Sequence, residues 1–381
     1  MSKPRAVMVG TYPPTQCGIA TYTANLRSAL DDNGVHARVI RLLDAHEDAG
    51  PNLLEVVGSW RRGCETGLES ALRVSEGFDV VLIQHEYGVY PGPDGAEVVD
   101  FVDACRTPII TVLHTVLALP TPHKRVIIDA LAERSALLIV HTAAARARLL
   151  DVHDLDPSRV VVVPHGATPN LTGPPLIVSP VPIMLTWGLL GPGKGIEHGI
   201  EAVALMRRRG LEVRYLVAGG THPNVRAHSG EQYRGQLQDL ARRRGVADLV
   251  EFDDQYRPWE SLLAVVRSAS LILVPYDTRD QVTSGVLVEA LAAGKPVVST
   301  AFPHAVELAA TGAVALVRHG SADRIAEEAE RILTCPAVRR AMEAAARGEA
   351  AKYSWPSVGR NYRELITEVC NDGAPAVGAS R

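Results

Sequence analysis

Short apolar runs alternate with longer amphipathic segments along most of the chain, and this alternation constrains the fold more than any other sequence feature. Buried strands that are joined by helices are typical of βαβ units with parallel sheets. The apolar runs predict strands at residues 6–9, 37–42, 80–84, 109–113, 137–140 and 160–163, and again at residues 183–187, 213–218, 250–252, 271–275, 296–299 and 313–317.

A cluster of six prolines between Pro164 and Pro182 separates the two series of strands. Proline lacks an amide donor and interrupts both helices and central strands. The 381 residues are also enough for two domains of about 150–200 residues each. We therefore predict an α/β protein with two doubly wound halves, divided into an N-terminal domain at 1–165, a linker at 166–182, a C-terminal domain at 183–350, a helix at 351–370 that packs back on the first domain, and a flexible tail at 371–381.

Composition excludes several classes of protein. The net charge of −4 gives no basic surface of the kind that holds nucleic acid, so we expect no nucleic-acid partner. Five scattered cysteines without a CxxC pair argue against a disulfide framework or a zinc site and favour a reducing cytoplasm. No run of 18 apolar residues is present, so we expect no membrane span, whereas peripheral membrane contact stays open.

The loop at residues 10–18 follows the first predicted strand. Ligands of doubly wound sheets bind beyond the carboxyl ends of the strands, and Gly18 opens a helix whose free amides a ligand can approach. Cys17 lies in the same loop and is a candidate binding residue. A plain turn between strand and helix is the alternative. The absence of a GxGxxG pattern argues against a nicotinamide-dependent oxidoreductase.

Histidines follow three predicted strands of the first half, namely His85, His114 and His165. A single histidine at such a position is more often structural than catalytic. Three of them at one edge, with Glu86 and Tyr87 beside the first, favour a polar binding site. No compact spacing of metal ligands and no GxSxG sequence is present, which argues against a metal centre and a serine hydrolase.

The loop at residues 188–195 carries four glycines and Lys194 after the first strand of the second half. Backbone amides and an ammonium group together predict a cradle for a diphosphate. The spacing differs from that of a Walker loop. A flexible turn with a solvated lysine is the alternative.

A second loop, at residues 276–285, leads into an apolar helix in which Glu289 is the only charged residue. Thr283 or Ser284 can cap this helix, and amides near Ser284 and Gly285 can meet a phosphate. A buried carboxylate needs partners, and the paired hydroxyls of a ribose supply two hydrogen bonds side by side. An ion pair with an arginine elsewhere is the alternative.

Residues 7–333 resemble the retaining glycosyltransferases of family 4, which have the GT-B fold. The passage 285–298 is similar to the donor-binding motif of that family, in which two glutamates are separated by seven residues. Glu289 matches the second glutamate, which holds the donor ribose, whereas Gln281 stands at the position of the first. The resemblance implies two Rossmann-like domains that face each other across a cleft, with the acceptor on the first and the donor on the second.

The resemblance also implies roles for other residues. Lys194 matches the lysine on the donor diphosphate, but Leu189 stands where the family has an arginine, so Arg279 is our candidate replacement. His114 matches a histidine near the donor sugar, and Gly18 matches a glycine near the leaving phosphate. The implied catalytic residues are His114, Lys194 and Glu289. The implied donor-binding residues are Gly18, Gly188, Gly193, Lys194, Arg279, Gln281, Thr283, Ser284, Gly285 and Glu289. The candidates for the acceptor or the cleft are Cys17, His85, Glu86, Tyr87 and His165.

The implied reaction moves a hexosyl group, mannosyl or glucosyl, from a GDP- or UDP-hexose to a hydroxyl acceptor of unknown identity, with retention of the anomeric configuration. It implies no metal and no other cofactor. Two alternatives stay open. One is a GT-B sugar-nucleotide epimerase. The other is a non-catalytic sugar-binding protein that kept the fold, which the departures at Gln281 and Leu189 favour.

Overall fold

The computed structural model of the protein describes residues 3–45, 47, 53–64, 66–279 and 281–372. The chain divides into two compact units. The first comprises Met1–Gly166 and Trp355–Arg381, and the second comprises Ala167–Ser354. The predicted tail lies outside the described residues from residue 373 onward.

The first unit is built on a seven-stranded sheet in which all neighbouring strands are parallel, with the order β3-β2-β1-β4-β5-β6-β7. Its strands are β1 (Arg5–Gly10), β2 (His36–Leu43), β3 (Val56–Arg61), β4 (Val80–His85), β5 (Ile109–Leu113), β6 (Leu137–Val140) and β7 (Val160–Val162). The helices between them are α1 (Gly18–Asp32), α2 (Gly67–Ser75), α3 (Glu97–Ala104), α4 (Pro122–Arg134) and α5 (Ala143–Val152). Central strands such as β4 are buried at every position, because helices cover both faces of a parallel sheet.

The edge strand β3 was not among the predicted strands. Its residues are exposed or partly exposed except for Trp60, which is buried, and Gly58 and Ser59 interrupt its apolar character. An edge strand is covered less completely than a central one, so its sequence does not carry the continuous apolar run on which the prediction depended.

The second unit is built on a six-stranded parallel sheet with the order β10-β9-β8-β11-β12-β13. Its strands are β8 (Ile183–Trp187), β9 (Arg214–Ala218), β10 (Val250–Asp253), β11 (Leu271–Val274), β12 (Val297–Thr300) and β13 (Val314–Val317). Its helices are α6 (Ile196–Arg208), α7 (Pro223–Ser229), α8 (Gln232–Arg243), α9 (Trp259–Ser268), α10 (Gly285–Ala292), α11 (Pro303–Ala309), α12 (Ala322–Thr334) and α13 (Pro336–Tyr353). In both sheets the strand order reverses beside the first strand, so the prediction of two doubly wound halves is confirmed.

The end of the chain differs in detail from the prediction. The predicted helix at 351–370 is two elements, because α13 ends at Tyr353 and a new helix, α14 (Trp355–Asp372), begins after one residue. The α14 helix therefore includes residues 371 and 372, which we assigned to the tail. It belongs to the first unit, where the hydroxyls of Tyr362 and Tyr22 form a buried hydrogen bond of 2.9 Å.

We predicted a linker at residues 166–182. Gly166 belongs to the first unit, and residues 167–182 form neither helix nor strand and belong to the second unit. Their backbone is nevertheless paired. The Asn170 amide donates to Ala292 O at 3.1 Å, and the Leu176 amide donates to Ala264 O at 3.0 Å. Prolines interrupt a regular ladder of hydrogen bonds here, but the Asn170 and Leu176 amides still find carbonyl partners.

Among the described residues, no helix is both long enough and apolar enough to span a bilayer.

Candidate functional site

Two loops of the second unit, at residues 188–195 and 276–285, meet at one edge of its sheet. They follow β8 and β11, the neighbouring strands between which the strand order reverses. In doubly wound sheets this reversal leaves a crevice beyond the carboxyl ends of the two strands. The Asp277 amide in the second loop donates to Gly193 O in the first at 3.0 Å. The fold thus brings together the two loops that the sequence singled out.

Glycines give the first loop its shape. Gly188, Gly193 and Gly195 have φ values of +117°, +87° and +63°, in the region that side chains disfavour. A Cβ at Gly195 would lie 1.9 Å from Pro275 O, so the first loop packs directly against the backbone that follows β11. A Cβ at Gly188 or Gly193 would meet no described atom within 4 Å, so this side of the loop is open to a ligand.

Lys194 lies between these glycines, with its ammonium 4.2 Å from the centre of the Tyr276 ring. A contact of this kind is worth only about 0.5–1 kcal/mol where solvent reaches it. The charge of Lys194 also affects His222, whose pKa is lowered first by burial and then by this ammonium. A diphosphate would compensate the charge of Lys194 far better than an aromatic ring does.

Glu289 lies on α10 and is only 7% exposed. Both of its carboxyl oxygens accept from the Thr168 amide, each at 3.3 Å. Burial raises the pKa of Glu289 to about 8, and the Thr168 bond opposes this rise. The partner of Glu289 is therefore a backbone amide rather than the arginine of the alternative interpretation. At neutral pH the Glu289 side chain is mostly in its protonated form.

The remaining predicted donor residues occupy the turn before α10. Ser284 caps the helix by accepting from the Leu287 amide, as predicted. Its own amide, which we expected to be open to a phosphate, donates instead to His304 Nδ1 at 2.8 Å. Gln281 Nε2 donates to the carbonyl oxygen of Thr283 at 2.9 Å, and the Thr283 hydroxyl is buried without a partner among the described atoms.

Arg279 and Gly285 complete that turn. Arg279 is exposed, and the residue after it lies outside the described part of the chain, so its role as a replacement for the missing arginine stays a prediction. Gly285 is the first residue of α10. Its amide and those of the following residues belong to the first turn of the helix, where backbone donors lack helical partners.

In the first unit, a ring cluster forms at the carboxyl ends of the last three strands. His114 follows β5, His141 follows β6, and His165 lies shortly after β7. The centre of the Tyr22 ring lies 4.8 Å from the ring centre of His114, 5.2 Å from that of His141 and 4.9 Å from that of His165. We had not predicted His141 or Tyr22. The strand-end rule that selected the other histidines also applies to His141 and would have found it.

Three histidines at these strand ends, His85, His114 and His165, are neutral at neutral pH. Burial lowers the pKa of His165 to about 4 and that of His85 to about 3, and it lowers the pKa of His114 well below its ordinary value. His114 Nε2 donates to Gln84 Oε1 at 2.9 Å. His85 is fully buried, and neither of its ring nitrogens has a partner among the described atoms. At neutral pH none of these three rings is a cation.

Glu86 and Tyr87 follow β4 at the same edge. The Glu86 carboxylate accepts from the Thr115 hydroxyl and from the Tyr87 amide. Burial raises the pKa of Glu86, and the Lys124 ammonium lies 5.0 Å from the centre of the Tyr87 ring. These groups form a polar surface beyond β4, where we expected acceptor candidates.

Cys17 and Gly18 lie after β1, across the strand-order reversal from β4. The Cys17 sulfur caps α1 by accepting from the Ala20 amide at 3.3 Å, and it lies 3.2 Å from the Thr11 hydroxyl. A Cβ at Gly18 would meet no described atom within 4 Å. The start of α1 is therefore open, as a ligand at the helix amides requires.

One group of side chains near the first loop has the chemistry of metal ligands. In the described part of the chain, Glu197, His198 and Asp277 are the one set of three whose ligand atoms lie within 4.8 Å of one another. They already have partners in the protein. His198 Nε2 donates to Asp277 Oδ1 at 3.1 Å, and Glu197 accepts from the Tyr233 hydroxyl at 2.9 Å. Our expectation that no metal takes part stays a prediction.

Family models match both units of the chain. The model described as "Glycosyltransferase Family 4" matches residues 17–171, and the model described as "Glycosyl transferases group 1" matches residues 172–349. Together with the two doubly wound sheets, these matches define a glycosyltransferase with the GT-B fold. The chain belongs to glycosyltransferase family 4, which confirms the resemblance seen around Glu289.

Curated relatives have the same type of activity. The chain is 28% identical to D-inositol 3-phosphate glycosyltransferase of Corynebacterium efficiens over 306 residues, which is 72% of this chain and 69% of the relative. It is 33% identical to the protein of that name from Actinosynnema mirum over 256 residues, which is 62% of this chain and 58% of the relative.

Solved structures share the fold. Sucrose-phosphate synthase from Thermosynechococcus elongatus superposes with a TM-score of 0.78 at 19% identity, covering 97% of this chain and 100% of that one. Anabaena HepE in complex with UDP and glucose superposes with a TM-score of 0.76 at 16% identity, covering 96% and 100%.

Proposed function

We propose that this glycosyltransferase uses a UDP-hexose as donor and binds it at the β8–β11 edge of the second unit. The observation that carries the proposal is the meeting of the Lys194 loop with the loop that precedes Glu289, joined by the bond from the Asp277 amide to Gly193 O. A nucleoside diphosphate has an anionic and a diol part a short distance apart. Lys194 in the first loop offers an ammonium group, and Glu289 on the helix after the second loop offers a carboxyl group.

UDP is favoured over GDP because a fold neighbour, Anabaena HepE, is described in complex with UDP and glucose. The same likeness favours a glucosyl over a mannosyl donor. The family resemblance supports retention of the anomeric configuration, with the departing phosphate taking the proton from the acceptor hydroxyl. Lys194 and the open amides of its loop would stabilise the negative charge that builds on the diphosphate as the sugar leaves.

The acceptor is a hydroxyl compound, and we propose that it binds at the polar carboxyl edge of the first sheet. Two observations support this location. The strand order reverses between β1 and β4, and Glu86 and Tyr87 lie directly after β4. The relatives named for D-inositol 3-phosphate make phosphorylated cyclitols the first acceptors to test. We also propose a location in the reducing cytoplasm, since all five cysteines are free thiols.

The test is a product assay with a donor panel. UDP-glucose, UDP-N-acetylglucosamine, GDP-mannose and ADP-glucose are each incubated with the enzyme in the presence and absence of inositol phosphates and simple sugars. We expect release of UDP above that of GDP or ADP, and a product whose anomeric proton signal shows the configuration of the donor. Turnover with GDP-mannose alone would contradict the choice of UDP, and an inverted product would contradict retention.

A further inference from the structure

Thr168 links two side chains that come from different helices of the second unit. Its hydroxyl accepts from Trp259 Nε1 at 3.1 Å, and its amide donates to both carboxyl oxygens of Glu289 at 3.3 Å. Trp259 is the first residue of α9, and Glu289 lies in the middle of α10. Trp259 is therefore connected to the candidate ribose-binding carboxyl group through a single residue.

Thr168 lies outside any helix or strand, so no ladder of hydrogen bonds fixes the direction of its amide. The backbone is anchored on either side of it. The Ala167 amide donates to Tyr353 O at 2.7 Å, and the Asn170 amide donates to Ala292 O at 3.1 Å. At Thr168 itself, the bond from Trp259 is the side-chain contact that holds the residue in place.

The position of the Thr168 amide determines where the carboxyl oxygens of Glu289 lie and which of their hydrogen-bonding positions stay free for a ligand. The protonated carboxyl group of Glu289 offers one O–H donor and further acceptor positions on its two oxygens. The Thr168 amide contacts both oxygens at 3.3 Å and leaves their outer positions for a ligand. A ribose presents two adjacent hydroxyls, which fit two such outer positions only if the carboxyl group stays where the amide holds it.

We propose that Trp259 and Thr168 are positioning residues that hold Glu289 in the orientation needed to bind the two ribose hydroxyls of the donor. This inference rests on the proposed function, because it assigns the ribose to Glu289. It adds two residues that act on the affinity for the nucleoside through Glu289.

The experiment compares the binding of UDP and 2′-deoxy-UDP by calorimetry. The variants are Thr168→Val and Trp259→Phe, which remove the same hydrogen bond from opposite sides, together with the double variant. Thr168→Ser keeps the hydroxyl and serves as the rescue variant. Trp60→Phe, at a buried tryptophan of the first unit, controls for the loss of an indole in general.

We expect the wild type to bind UDP more tightly than 2′-deoxy-UDP. Each single variant should weaken UDP binding about fivefold, the size of effect expected for one hydrogen bond, and should bring the ratio of the two affinities toward one. The double variant should be no weaker than the weaker single variant, because both remove one shared bond. Thr168→Ser and Trp60→Phe should keep the wild-type ratio.

The outcomes separate this inference from the proposed function. If the wild type binds neither nucleotide, the proposed donor is wrong. If the wild type prefers UDP over 2′-deoxy-UDP and the folded Thr168→Val and Trp259→Phe variants keep that preference, the positioning role is wrong while the donor site stands. Should Trp259→Phe fail to fold, Thr168→Val alone decides, since valine closely matches the shape of threonine.

Discussion

Replacing Glu289 by glutamine is expected to stabilise the second unit by an amount that grows with pH. The pKa of this carboxyl group is raised from its ordinary 4.5 to about 8 by burial. Between these values the folded chain keeps a proton that the unfolded chain has released, so the wild type loses stability as pH rises through this window. Glutamine has no proton to lose and keeps an oxygen for the Thr168 amide.

The magnitude follows from the two pKa values. A displacement from 4.5 to about 8 corresponds to an upper limit of about 5 kcal/mol at and above pH 8. Local relaxation and water penetration reduce such costs in real proteins, so we expect an advantage of about 2–3 kcal/mol for glutamine at pH 8. At pH 5 the advantage should fall below about 1 kcal/mol, because this pH lies only slightly above the unfolded pKa of 4.5 and little of the penalty for keeping the proton has developed.

The assay is urea unfolding of wild type and Glu289→Gln at pH 5 and pH 8, followed by circular dichroism and fitted for the transition of the second unit. Glu212→Gln is the matched control, because Glu212 is exposed in the same unit and its replacement should give no pH-dependent advantage. An advantage of Glu289→Gln that is equal at the two pH values would refute the buried, protonated carboxyl group. An advantage that shrinks as pH rises would refute it as well.

Three further predictions concern the strand ends. The pKa of His165 is lowered to about 4, so the wild type should lose up to about 3 kcal/mol of unfolding free energy as pH falls from 6.5 toward 4. In His165→Phe the unfolding free energy should depend less on pH over this range. A wild-type Tm that is equal at pH 5 and pH 7 would contradict this. Gly195→Ala should lower the unfolding free energy by more than about 3 kcal/mol in urea, whereas Gly230→Ala should lower it by only about 1 kcal/mol. Both glycines have positive φ, but only at Gly195 would an added Cβ lie 1.9 Å from a carbonyl oxygen. Equal losses would show that the two loops do not pack as described. Gln84→Leu removes the hydrogen-bond partner of His114. It should lower kcat about tenfold, which corresponds to a rise of about 1.4 kcal/mol in the activation free energy when the ring is no longer held in place. An unchanged kcat would mean that His114 needs no such partner.

The strand-end rule explains how much of the site was readable from the sequence. The meeting of the Lys194 loop with the loop before Glu289 was predictable, because each loop follows a continuous apolar run and neighbouring parallel strands bring such loops to one edge. The binding roles of the two side chains stay predictions. The family motif then assigned roles to the two side chains. Neither the pattern nor the motif depends on details of packing.

Other features depended on contacts that no local pattern encodes. The hydrogen bond from the Thr168 amide to Glu289 joins residues that are 121 positions apart in the chain. The proline-rich sequence around Thr168 does not predict this bond. The Ser284 amide was expected to be open, yet His304 accepts its hydrogen bond from another helix. The β3 strand was missed because an edge strand is only partly covered and so needs no continuous apolar run.

The central claim is that the ammonium of Lys194 and the carboxyl group of Glu289 bind one nucleoside diphosphate. Calorimetric titration of UDP into wild type, Lys194→Ala and Glu289→Ala tests it most directly, with Lys352→Ala, at an exposed lysine of the same unit, as control. We predict that both site variants bind UDP at least about tenfold more weakly. Lys194→Ala removes a charge-assisted hydrogen bond to the diphosphate, and Glu289→Ala removes both hydrogen bonds to the ribose. The control should match the wild type. Wild-type affinity in both folded site variants would contradict the claim.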